Sequence, residues 1–192
     1  MLKTSMAAFF AGALMASAIS AETWTLNNDA SKLSFGSIKN DRTGEVHSFK
    51  SLSGTVSADG MVEIEIDLTS IETNIEIRNE RMIEFVFGDS ATATLSVGMD
   101  MAELNAIPVG GHGTVFAVGD LSFLGQTIAV ESDMFVLRAS EAQTLVSTDG
   151  LVFLDIEDAG LAAGIDKMME LASLPGITRT SPVTVRLMFD KD

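Results

Sequence analysis

Val62-Glu63-Ile64-Glu65-Ile66-Asp67-Leu68 is the stretch on which the fold turns. Four apolar residues alternate with three acids, the period of a strand with one face buried and the other wet. Outward from it, Ala91-Thr92-Ala93-Thr94-Leu95-Ser96-Val97 repeats the alternation with neutral polar residues, and Val183-Thr184-Val185-Arg186-Leu187-Met188-Phe189 closes the chain with a looser version. Residues 32–38, 46–57, 114–121, 127–137 and 143–148 read as further strands, each with β-branched or aromatic residues bounded by turn chemistry. Asp59-Gly60 is a hairpin signal between two of them. With Trp24 to Leu26 joined to the first strand there are about eight strands, near the number at which a sheet closes around one ligand or a plug of side chains.

Two segments break this rhythm. Residues 78–87 place Met82, Phe85 and Val86 at helical spacing among charges and predict a short helix. Residues 159–172 predict a longer amphipathic one, with Leu161, Ile165, Met168, Met169 and Ala172 on one stripe and Asp158 as its N-cap. Leu174-Pro175-Gly176 stops it. Its polar face lacks basic residues, Lys167 being the one positive charge, so the stripe reads as a lid or plug on the barrel rather than a helix dipping into lipid.

The N-terminus reads as an export signal. Lys3 precedes an apolar run over residues 6–15, and Ala16-Ser17-Ala18 and Ile19-Ser20-Ala21 supply the small residues a signal peptidase cuts. The run is short for a membrane span, which takes about 20 apolar residues. The expected organisation is a signal peptide over residues 1–21 and one domain over residues 22–192, delivered to the periplasm without stable membrane insertion. Mean hydropathy is +0.30, yet the apolar residues are spread through alternating segments. The formal charge of −15 disfavours nucleic acid and anionic membrane surfaces as partners. With no cysteine, the fold rests on its core and sheet hydrogen bonds.

The ordered segments resemble the YceI-like family. Trp24-x-Leu26 with Ser31-x-Leu33-x-Phe35, then Val46-His47-x-Phe49-x-x-Leu52-x-Gly54-x-Val56, then Ile64-x-Ile66-Asp67-Leu68-x-Ser70-Ile71-x-Thr73, match its opening half. Asn74-x-Glu76-x-Arg78-Asn79-x-x-Met82 is similar to its next connection, and Gly119-x-Leu121-x-x-Leu124-Gly125-x-Thr127 to its later hairpin. The resemblance implies an all-β, antiparallel, eight-stranded lipocalin-like barrel in the periplasm, with an elongated apolar tunnel for a long isoprenoid or similar lipid. Two features depart from the family's pattern: Asn79 stands where an Asp often follows the Arg, and the chain has no tyrosine.

Strand parity names the inward residues. They are Leu33 and Phe35, Ile64 and Ile66, Leu95 and Val97, Phe116 and Val118, Ile128 and Val130, and Val185 and Leu187; Phe49 joins them from the matched motif. The same residues would serve a packed core or line a tunnel. His47 and Arg78 are the polar candidates at the barrel mouth.

Catalysis has little to work with. There are two histidines, His47 and His112, and neither cysteine nor tyrosine, which removes most nucleophile and base pairings. Gly110-Gly111-His112-Gly113 lacks the Lys-Ser/Thr of a phosphate loop and reads as a turn. Glu45 and His47 share a strand face, but a metal site wants three or four ligands, so none is expected. Glu63, Glu65 and Asp67 read as a solubilising outer face that discourages edge pairing. The expectation is a non-enzymatic carrier or sequestering protein, monomeric or homodimeric, possessing no cofactor beyond a bound isoprenoid or quinone-like lipid and linked to stress. The alternative is a non-carrier stress or interaction module with a filled barrel and an acidic protein-binding surface.

Overall fold

The computed structural model describes residues 23–192, so the expected leader and its cleavage after Ala21 lie outside the described residues. Alternation becomes strand wherever it was sharpest. The Val62–Leu68 stretch forms β5 (Met61–Asp67), with Val62, Ile64 and Ile66 buried and Glu63 and Glu65 in water. It is joined to β4 (Leu52–Val56) by the Asp59-Gly60 turn, where Gly60 takes φ +88°. The remaining strands are β1 (Trp24–Leu26), β2 (Lys32–Lys39), β3 (Thr43–Phe49), β6 (Ile71–Glu72), β7 (Thr92–Gly98), β8 (His112–Phe123), β9 (Gln126–Leu137), β10 (Gln143–Thr148), β11 (Val152–Asp155) and β12 (Thr180–Lys191).

These segments occupy eight positions of a closed antiparallel barrel. Short interruptions divide single positions. The turn Asn28–Ala30 separates β1 from β2, which both run along β12, residues 50–51 separate β3 from β4, which pair with β2 and β1, and the turn Leu68–Ser70 separates β5 from β6. Residues 149–151 form a bulge between β10 and β11, which also share β12. The ring proceeds from β1 through β4, β5, β7, β8, β9 and β10 to β12, which returns to β1.

Helices cover the openings. α1 (Glu76–Met82) continues as a π-helical turn, Ile83–Phe87, whose extra residue turns Phe87 rather than Phe85 into the core. α3 (Ala162–Ala172) lies against that turn, with Met168 buried. Gly164 makes the contact possible, because a Cβ there would sit 2.6 Å from Phe85 O and 2.7 Å from Val86 Cα. The helix begins at residue 162 without a side-chain cap. Asp158 is not its N-cap; instead the Asp155 carboxylate accepts from the Glu157 and Asp158 amides in the preceding turn.

Two elements carried no periodic signal. α2 (Met101–Ala106), capped by the Asp100 carboxylate on the Ala102 amide at 2.7 Å, has six residues. β11 is an unbroken apolar run, Val152-Phe153-Leu154, with no alternation to read.

Candidate functional site: a lined barrel interior

The β2–β3 register builds the interior from apolar to polar. Leu33 lies opposite Phe49, Phe35 opposite His47 and Ser37 opposite Glu45, and this parity faces inward. Aromatic rings continue the line, Phe35 to Phe49 at 5.4 Å, Phe49 to Phe87 at 5.9 Å and Phe87 to Phe123 at 6.2 Å.

The barrel is hollow. One chamber of about 1030 Å³ takes its walls from Trp24, Ile64, Leu95, Val97, Ile128, Val130, Val185 and Leu187, and α2 adds Met101 and Leu104. A second of about 440 Å³ lies toward α1 and α3, against Phe35, His47, Phe49 and Arg78. Leu33, Ile66, Leu121, Leu154 and Val183 border both, so these residues form the waist between the two chambers. The larger alone reaches the top of the usual ligand-pocket range of about 300–1,000 Å³.

Phe116 and Val118 do not belong to this lining. They point outward, 55% and 52% exposed, while Val115 and Ala117 are buried. In the run Val115-Phe116-Ala117-Val118 both parities are apolar, so alternation cannot choose. Register with β7 and β9 chooses, and it places the smaller side chains inside.

The two polar candidates meet within the smaller chamber. His47 is 6% exposed, so it sits inside the barrel and not on a rim. Its Nε2 lies 3.1 Å from Ser37 Oγ, while Nδ1 has no partner. Burial, then the nearby Arg78 charge, holds its pKa below the ordinary value of 6.5. Arg78 Nη1 donates to Glu45 Oε2 at 2.8 Å and Nη2 to Thr73 O at 2.5 Å; its buried Nε is unpaired. Lys39 Nζ donates to Glu45 Oε1 at 2.8 Å. Burial works to raise the Glu45 pKa, but the hydrogen bonds from Lys39 and Arg78 outweigh it and hold the carboxyl below its usual range.

Arg78 therefore finds its counter-ion 33 residues away, not at its neighbour. Asn79 does other work: its Oδ1 accepts from the Thr73 amide at 2.8 Å and hydroxyl at 2.5 Å, tying α1 to β6. Glu45 completes a Lys39–Glu45–Arg78 array that residue types alone did not reveal, although its i,i+2 relation to His47 was a usable signal. His112 is exposed and stacks on Phe135 at 5.4 Å, away from this cluster. Among the described residues no three His, Cys, Asp or Glu side chains gather as a metal site, and no helix is long and apolar enough to cross a membrane.

The arrangement is two adjoining apolar chambers, the smaller with the His47 and Arg78 side chains in its wall. Such an interior can hold hydrocarbon along its apolar walls, with the few polar side chains of the smaller chamber available to distinguish one end of a molecule.

A family model described as YceI-like domain matches residues 24–188. A solved polyisoprenoid-binding domain from Saccharophagus degradans, implicated in plant cell wall breakdown, is 32% identical, with a TM-score of 0.85 over 88% of this chain and 98% of that one. BcnA from Burkholderia cenocepacia shares the fold at a TM-score of 0.65 and 17% identity, over 85% of this chain and 98% of its own. No curated protein sequence matches the chain.

Proposed function

Because the chain belongs to the YceI-like family, we propose that it binds a long isoprenoid or similar amphiphile inside the barrel, as a carrier or sequestering protein and not an enzyme. The observation that carries the reading is the pair of adjoining apolar chambers inside the barrel, the smaller of which has His47 and Arg78 among its walls. Similarity to a polyisoprenoid-binding domain supports the same ligand class.

The energetics suit such a ligand. Each buried methylene contributes about 0.8 kcal/mol, so ten contribute about 8 kcal/mol before the cost of ordering the chain. The head needs only one or two hydrogen bonds. Arg78 is already paired with Glu45, so the smaller chamber favours an uncharged oxygenated head, such as a quinone carbonyl or an alcohol, over a pyrophosphate.

The working setting is the periplasm, the domain spanning residues 22–192 after cleavage near Ala21, and a role in stress protection follows from holding a water-insoluble chain in an aqueous compartment. Trp24, the one tryptophan of the chain, lines the larger chamber and supplies the assay. A prenyl quinone added to the protein should quench its fluorescence saturably, and native mass spectrometry of protein exported in a Gram-negative host should show a co-purifying isoprenoid or quinone. Absence of both uptake and co-purified lipid refutes the reading.

A further inference from the structure

We propose that the seam between β9 and β11 is the portal through which the ligand's chain enters and leaves the barrel, a proposal that rests on the lipid-binding reading above. β9 pairs with β10 only from Met134 onward, and β11 pairs with β12 alone. Asp149 N donates to Asp133 O at 2.9 Å as the last bond across this junction. Strand alternation then turns the peptide groups of Glu131, Ala129 and Thr127 toward the seam, where β11 offers no ladder. The seam closes again where Gln126 approaches Gly160.

The larger chamber runs out through this slot. Its lining includes the inward residues Ile128, Val130 and Leu154, and also Glu131 and Phe153, which belong to the outer face. A cavity touched by both faces of the same strands passes between them. Leu151 and Phe153, 60% and 64% exposed, give the slot an apolar jamb on the β11 side. That jamb is tethered on one side only, and the 149–151 bulge separates it from β10.

Other routes are less suited to hydrocarbon. At the α1–α3 end Gly164 packs on backbone of the π-helical turn, and a chain leaving there would pass Lys39, Glu45, Arg78 and Arg81 in the wall of the smaller chamber. The opposite end presents Asn105, Arg138, Glu141 and Lys191 to the chamber, groups against which an apolar chain gains nothing. The seam adds the exposed apolar Leu151 and Phe153 at its outer edge.

The chain's lack of cysteine makes the test direct. Glu131→Cys with Phe153→Cys would be bridged across the seam by a short reducible bismaleimide, and Asn105→Cys with Glu141→Cys across the barrel end. A short-tailed ubiquinone would be delivered from phosphatidylcholine vesicles and followed by stopped-flow quenching of Trp24. Bridging the seam should slow loading on the order of tenfold or more without changing its final extent, and reduction of the bridge should restore the rate. Bridging the end should leave the rate unchanged. Wild-type loading through a bridged seam, or slowing by the end bridge instead, overturns the portal while leaving lipid binding intact. No quenching in any form, wild type included, overturns the binding reading and the portal with it.

Discussion

Ile66→Trp should convert a long-chain site into a short-chain one. Ile66 borders both chambers and is 7% exposed, so an indole placed there fills the waist between them. A chain confined to the larger chamber gives up the carbons that the 440 Å³ chamber had held. Losing one isoprene unit, about five carbons at ~0.8 kcal/mol each, costs about 4 kcal/mol, or roughly a thousandfold in Kd. Overpacking a filled core would cost about 1–3 kcal/mol in stability, but here the added ring projects into open volume, so the melting temperature should change little. Calorimetric titration with prenyl quinones of increasing tail length reads the effect without disturbance from the second tryptophan. Wild-type affinity should climb with length and level off when both chambers are full, whereas the variant should level off at a shorter tail. A folded variant that binds the longest quinone as tightly as wild type would show that the waist is not on the ligand's path.

Arg78→Met should weaken a quinone by about 1–3 kcal/mol through loss of the head contact, yet leave a pure polyisoprenoid hydrocarbon unaffected; equal losses for both ligands would place Arg78 outside head recognition. Gly164→Ala should destabilise the fold by about 1–3 kcal/mol, because the new methyl meets backbone of the π-helical turn that cannot rotate away; an unchanged urea midpoint contradicts the packing. His47 has a folded pKa below its ordinary 6.5, so as pH falls the unfolded chain takes up the proton first. Stability attributable to His47 is thus complete above that value and declines as pH drops from it toward the lower folded value. Urea unfolding of wild type and His47→Gln from neutral to mildly acid pH should show the steeper loss in wild type, and parallel curves would contradict the burial of a neutral imidazole.

Much of this architecture is local and therefore readable in one dimension. Alternation in β5, β7 and β12 reports one buried face, and the Asp59-Gly60 turn reports a reversal, because each depends on near neighbours. The residues expected along the bore line it at Leu33, Phe35, Phe49, Ile64, Ile66, Leu95, Val97, Ile128, Val130, Val185 and Leu187. Where the code is degenerate, tertiary pairing decided. Phe116 and Val118 face water because β8 takes its register from β7 and β9, and neither parity of an all-apolar run predicts that. Glu45 and Arg78 meet because β3 and α1 converge, a relation between residues with no local link.

Sequence by itself determined a barrel of alternating strands, its family, its acidic exterior and the parity of most of its lining. Only tertiary structure decided that the interior is hollow, that His47 and Arg78 line its smaller chamber, and that β11 pairs with β12 and not with β9. The physical reason is that periodicity records which side of a strand avoids water. How far opposing walls stand apart, and which edges stay unpaired, depends on every strand closing the ring together.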